Sequence, residues 1–170
     1  MRVDITGIKS GGTFESLLKT VGFVVVQWAN CEQSLELLVN TLFREYGGNE
    51  LPGRRRMPRP VSEKVAFVKE CAAQLASLAA FKADLEALAL DFEAVMQTRH
   101  DLMHGALSDA PVSNGVFTFI RLDAHPDIHE VREFQYDLKE FPSLEASLMR
   151  LGAKALKVAK YVFAARPKFP

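Results

Sequence analysis

The chain has 170 residues, of which 48% are hydrophobic and 25% are charged. This length and composition suit one globular domain with a sizeable core and exclude a largely disordered chain. Basic and acidic residues both number 21, so the formal net charge is zero. Any polyanion must therefore be bound by a local patch of positive charge rather than by the charge of the whole protein.

The two cysteines, Cys31 and Cys71, are far apart and form no CxxC pair, which is typical of reduced, buried thiols in a cytosolic protein. The N-terminal residues do not have the pattern of a secretion signal. The most apolar stretch, residues 21–28, is too short to cross a bilayer. We therefore expect a soluble, cytoplasmic protein that does not associate with membranes.

The first predicted helix covers residues 13–46, with Thr13 as its cap and Gly47-Gly48 at its end. The run Val24-Val25-Val26 favours a strand locally. The helical period of the longer segment nevertheless predicts a helix here, because tertiary packing overrides weak propensity. Apolar residues at steps of three and four form one stripe along this segment: Leu17, Val21, Val24, Trp28, Cys31, Leu35, Leu38 and Leu42.

A loop with three prolines follows over residues 49–60, and it carries four arginines: Arg54, Arg55, Arg56 and Arg59. One interpretation is that these side chains bind RNA by attracting its phosphate backbone. The other is a solvated, mobile loop with no ligand. The sequence leaves both interpretations open.

Two more helices are predicted over residues 62–79 and 81–104, and Gly105 suits the position just after the second of them. Residues 108–114 are a predicted loop. The apolar period then changes from 3.6 to 2, which predicts a β-hairpin over residues 115–137. A last helix is predicted over residues 143–165. We expect a mainly α fold in one domain over residues 1–170: an up-and-down four-helix bundle with the hairpin inserted before the last helix.

One arginine interrupts the apolar stripe of the third predicted helix, which consists of Leu85, Leu88, Phe92, Val95, Arg99 and Leu102. A guanidinium group at a core position needs a partner or a wet cleft, since burying it unpaired is costly. Glu32 lies one turn after Trp28 beside the inward face of the first helix. We predict that Glu32 and Arg99 lie close together, either as a structural ion pair or in support of a site.

Two histidines follow Arg99 on the same helix. His100 and His104 are four residues apart and share a face, and the end of a helix favours a protonated imidazole at His104. Such a group can exchange a proton near neutral pH. Asp101 is a candidate hydrogen-bond partner for one of the two histidines.

The segment from Thr98 to Gly105, on a chain with this helical pattern, resembles the motif of the HEPN superfamily (higher eukaryotes and prokaryotes nucleotide-binding domains). That motif has an arginine, usually a polar residue after it, and a histidine near the end of a bundle helix. His100 stands where asparagine is commoner. The resemblance implies a metal-independent endoribonuclease that needs no cofactor and acts as a homodimer on RNA.

In this resemblance His104 activates the 2′-hydroxyl or protonates the leaving oxygen, Arg99 holds the scissile phosphate, and His100 and Asp101 orient or assist. It also suggests a toxin of a toxin–antitoxin or defence system, with an antitoxin protein as a further partner. Other family members bind nucleotides or proteins without cutting RNA, so a non-catalytic binding module is the alternative.

A metal site is a rival interpretation of the histidines. The spacing of His100 and His104 recurs at His125 and His129, but zinc usually needs three or four protein ligands. No HExxH motif is present, and both cysteines lie in other predicted helices. We therefore predict no metal ligand in the chain.

Overall fold

The structure is a computed structural model, and it describes residues 12–109, 115–125 and 128–167. The first helix begins at Gly12, so Thr13 lies inside it and not at its cap as predicted. The side chains of Thr13, His125 and His129 and most of the loop at 108–114 lie outside what the structure describes. The helices and strands, in chain order, are α1 Gly12–Glu45, α2 Val61–Gln74, α3 Lys82–His104, β1 Ala106–Asp109, β2 Val116–His125, β3 Ile128–Asp137 and α4 Phe141–Ala164.

The prediction of a mainly helical chain with four α-helices and a β-hairpin before the last helix is confirmed. By its internal contacts the chain divides into two compact units. The first comprises the described parts of Met1–Val26 and Gln97–Ala146, and we call it the sheet unit. The second comprises Gln27–Met96 and the described part of Ser147–Pro170, and we call it the helix unit.

The helix unit has an apolar core that matches the predicted stripes. Trp28 and Phe92 are both buried and meet edge to face, with ring centroids 5.8 Å apart, an arrangement that aromatic pairs prefer. Cys31 and Cys71 are free and buried. Burial raises the pKa of the Cys31 thiol to about 11 and that of Cys71 to about 12, so both are unreactive at neutral pH.

The sheet unit contains an antiparallel sheet in the order β1-β2-β3. Ten residue pairs join β2 to β3, from Val116 opposite Asp137 to His125 opposite Ile128. Side chains alternate between the two faces of a strand, and the face of β2 that carries Phe117 and Phe119 is buried. Phe119 stacks on its cross-strand neighbour Phe134, with ring centroids 5.3 Å apart.

Two local predictions were wrong. The second helix ends at Gln74 instead of residue 79, because Leu75 adopts an extended conformation and a 3-10 turn over Ala76–Phe81 follows and buries Leu78. The alanine-rich sequence in this region gives no local signal for that break. The segment expected as a loop from residue 108 begins inside β1. Three of the four β1 residues pair with β2, with a register shift between Leu107 and Asp109, and so short a strand cannot show an alternating pattern.

In the part of the chain that the structure describes, no helix combines the length and the apolar character needed to span a membrane.

The C-terminal end of α4 is capped by the side chain of Tyr46, the residue that follows α1. Tyr46 is buried, and its hydroxyl donates a 2.8 Å hydrogen bond to the carbonyl oxygen of Val162. Val162 is in the last turn of α4, where carbonyl groups lack a partner within the helix. The tyrosine hydroxyl therefore serves as a cap within the helix unit.

Replacing Tyr46 by phenylalanine removes this cap and leaves a buried carbonyl group without its donor. We expect Tyr46→Phe to lower the free energy of unfolding by about 1–2 kcal/mol, the usual cost of leaving such a group unsatisfied. Urea denaturation followed by circular dichroism measures it. Tyr161→Phe is the matched control, because the Tyr161 side chain is exposed; equal stability losses in both variants would contradict the capping role.

Candidate active site

The last two turns of α3 carry the residues singled out by the sequence, Arg99 to His104, and this end of the helix lies in the sheet unit. Arg99 is half-buried within a stripe whose neighbours Val95 and Leu102 are buried. The predicted interruption of the core stripe by an arginine is therefore real. Glu32 belongs to the helix unit, and its proximity to Arg99 stays a prediction.

The imidazole rings of His100 and His104 form a pair on the exposed side of this turn. Their centroids are 4.7 Å apart, with 53° between the ring planes, and both residues are exposed. The spacing of four residues brings two side chains of a helix together in this way. The shared face predicted for the two histidines is confirmed.

Asp101 links this turn to the sheet. Its carboxylate forms an ion pair with the guanidinium group of Arg121 on β2, and its Oδ1 also accepts a 2.8 Å hydrogen bond from Gln97 Nε2. Among the described residues, the Asp101 carboxylate therefore bonds to Gln97 and Arg121. The prediction that it bonds to one of the two histidines was wrong. The Arg121 side chain is 10% exposed and that of Asp101 21%, so water screens this pair less than a surface pair.

Arg121 is the site residue that sequence reasoning missed. It is on the same face of β2 as the buried Phe117 and Phe119, and only 9% of it is exposed. An arginine in phase with two buried aromatic residues on an alternating strand was the available signal. It is the same kind of signal that identified Arg99 on its helix, a charged group at a core position.

Gly105 allows the end of α3 to approach the sheet closely. A Cβ atom at this position would lie 2.7 Å from the carbonyl oxygen of Asp101 and 2.7 Å from the Phe134 ring. Neither distance is compatible with a side chain, so this position requires glycine. The residue after the helix is therefore small because the sheet packs against it, and the predicted helix end at this glycine is confirmed.

Partial burial of the ring and the charges around it favour a neutral His100. Burial of part of the ring lowers its pKa below the usual 6.5, and the nearby charges of Arg121, His104 and Arg99 lower it further, whereas Asp101 opposes them. A neutral imidazole has a free nitrogen lone pair and can accept a proton. At neutral pH His100 is therefore a candidate general base.

The four arginines of the predicted RNA-binding loop lie in the helix unit. Arg54 is half-buried and forms an ion pair with Glu70, with 2.7 Å between Nε and Oε2, while Arg55, Arg56 and Arg59 are exposed.

The described side chains include no group of three or more histidines, cysteines or carboxylates placed to hold a metal ion.

Comparisons of this chain with protein families, with curated proteins and with solved structures found no match.

The environment of His100 predicts its titration. Its lowered pKa means that the unfolded chain binds a proton at a higher pH than the folded protein does. The stability of the sheet unit should therefore fall as the pH decreases from about 6.5 to the pKa of the folded state, and no further below it. An NMR titration of the imidazole carbon-bound protons should place His100 below the usual value.

Arg121→Gln should raise the pKa of His100, since it removes one positive charge and leaves the Asp101 carboxylate uncompensated. Arg132→Gln is the control: Arg132 is directly opposite Arg121 on β3 but is not among the charges that shift this pKa. An unchanged His100 titration in Arg121→Gln, with a folded spectrum, would contradict the electrostatic account of the site.

Proposed function

We propose that this chain is a metal-independent endoribonuclease of the HEPN type, built on a four-helix bundle with an inserted sheet. The observation that supports it best is the exposed pair of imidazoles, His100 and His104, beside the guanidinium groups of Arg99 and Arg121. Cleavage of RNA without a metal requires one group to take a proton, one to give a proton, and positive charge for the phosphate.

The two histidines divide the proton transfers in this proposal. Neutral His100 takes the proton of the ribose 2′-hydroxyl, and the O2′ atom attacks the adjacent phosphorus. The bond between phosphorus and O5′ breaks, and protonated His104 gives its proton to the leaving O5′. The products are a 2′,3′-cyclic phosphate and a 5′-hydroxyl end. His100 then returns its proton to solvent, and His104 takes one up.

Arg99 is assigned to the phosphate, because its guanidinium can offset charge that develops on the non-bridging oxygens. Arg121 is too deeply buried for that role and is a positioning residue: through Asp101 it holds the turn that carries both histidines. Glu32 is proposed to support Arg99. In the arginine loop, Arg55, Arg56 and Arg59 are proposed to bind phosphate groups of the RNA, while Arg54 is paired with Glu70.

We further propose that the enzyme acts as a homodimer in the cytoplasm, because the histidine pair of one subunit is exposed on a single helical turn and a second copy would complete a cleft around the RNA. We propose that this enzyme is the toxin of a toxin–antitoxin or defence system and that an antitoxin protein inhibits it. The second candidate function is a non-catalytic module of the HEPN type that binds a nucleotide or a protein.

The test is cleavage of a labelled RNA in the presence of EDTA by wild type, His104→Ala and His100→Ala. Wild type should produce 2′,3′-cyclic phosphate ends. Each variant should lose at least about 100-fold in rate, the usual contribution of a general acid or base. His125→Ala, which removes a histidine outside α3, should retain the wild-type rate. Dilution should reduce the rate per chain if two copies form the site.

Equal product from wild type and His104→Ala would contradict the role of His104. No product from any folded variant, combined with nucleotide or protein binding that survives His104→Ala, would favour the non-catalytic module. Inhibition of wild type by EDTA would contradict the metal-independent mechanism.

A further inference from the structure

We propose that the arginine loop of the helix unit is a binding site for a terminal di- or triphosphate group. The ligand is either a free nucleotide or the 5′ end of an RNA. This inference deepens the phosphate-binding part of the proposed function and rests on that part only, since it needs no RNA cleavage. The observation behind it is a cavity of about 820 Å³ whose lining includes Phe43, Arg55, Arg56, Met57, Arg59 and Glu63.

The loop is held in shape at its start. Leu51 is buried, and its carbonyl oxygen accepts a 3.0 Å hydrogen bond from the backbone nitrogen of Arg54. Pro52 and Gly53 are the two central residues of this turn, and Gly53 has a φ of +78°. Proline followed by glycine with positive φ is the pattern of a type II turn. The arginines that follow therefore extend from a turn of defined conformation rather than from an unstructured segment.

The loop is also held by side chains. Arg54 forms its ion pair with Glu70, and its guanidinium lies over the Phe67 ring, 5.7 Å from the centroid. Pro58 is buried in the second half of the loop. The first of the four arginines is thus a structural anchor. A pre-organised loop loses less conformational freedom when a ligand binds. The remaining arginines can therefore bind a ligand with a smaller entropic cost.

Those remaining arginines carry uncompensated charge. Within the described residues, no carboxylate forms an ion pair with Arg55, Arg56 or Arg59, although all three line the cavity and are exposed. The one carboxylate in the lining is Glu63. With Arg54 neutralised by Glu70, the lining has three positive charges and one negative charge, so an excess of two positive charges faces the cavity.

This excess distinguishes between phosphate ligands. A phosphodiester of an RNA backbone carries one negative charge and would leave part of the excess unbalanced. A terminal di- or triphosphate carries two or more negative charges and several oxygens, which guanidinium groups bind through paired hydrogen bonds. The cavity volume is within the range of small-molecule sites, and Phe43 and Met57 offer an apolar wall for a base.

The experiment measures binding by isothermal titration calorimetry, with inorganic tripolyphosphate and ATP as probes for wild type. Both should bind with a dissociation constant in the micromolar range. Arg55→Gln/Arg56→Gln/Arg59→Gln should weaken both at least tenfold. The matched control is Lys82→Gln/Lys157→Gln/Lys160→Gln, which removes three positive charges of the helix unit outside the loop and should bind like wild type.

A second arm distinguishes the two sources of the triphosphate. In the His104→Ala background, a short RNA with a 5′-triphosphate is compared with the same RNA bearing a 5′-hydroxyl. Tighter binding of the triphosphate RNA assigns the cavity to RNA ends, and binding of ATP without that preference assigns it to free nucleotides.

Absence of tripolyphosphate and ATP binding, or equal weakening by the loop variant and the control, would overturn the inference. Both results are independent of RNA cleavage. A protein that binds triphosphate but never cuts RNA would keep this inference and lose the proposed enzyme activity.

Discussion

The candidate site depends on one ion pair, between Asp101 at the end of α3 and Arg121 in the middle of β2. It ties a helical turn to a sheet within one compact unit, and that turn carries both histidines. A buried arginine has to be paired, because an unpaired buried charge costs several kcal/mol. The position of Arg121 on the buried face of β2 therefore demands an acidic partner, and Asp101 supplies it. Gly105 then permits the close approach that the pair requires.

Both members of this pair also influence the pKa of His100: Arg121 lowers it and Asp101 raises it. Arg121 is the largest of the charged influences on His100, after partial burial of the ring itself. A residue too buried to meet a substrate thereby affects the protonation of an exposed one. One charged group on a core-facing position, Arg121, therefore both holds the turn on the sheet through Asp101 and adds to the effect of burial in lowering the pKa of His100.

Most of the helical structure could be predicted because apolar residues recur with the helical period over long segments. The stripe of α1 is buried along nearly its whole length, and the stripe of α3 is buried on both sides of Arg99. Short elements were harder. The break after Gln74 depends on burying Leu78, and β1 depends on hydrogen bonds to a strand that comes later in the chain. Neither dependence is encoded locally.

The candidate site was predictable in part for the same reason. Arg99, His100 and His104 lie within six consecutive residues of one helix, so periodicity relates them directly. Arg121 comes from another element twenty residues after Asp101, and only the tertiary structure pairs the two. In the arginine loop the sequence revealed the cluster of charge, but it could not separate Arg54, which Glu70 neutralises, from the three arginines that remain available. A net charge of zero for the whole chain conceals this local excess.

The most direct measurement is a double-mutant cycle on the ion pair, with Asp101→Asn, Arg121→Gln and the double variant compared by urea denaturation. Each single variant should lose about 1–3 kcal/mol of unfolding free energy. The double variant should lose less than the sum, with a coupling energy of at least about 1 kcal/mol, as for residues in one buried pair. Losses that add within about 0.5 kcal/mol, as at independent sites, would contradict the account that this pair holds the histidine-bearing turn on the sheet.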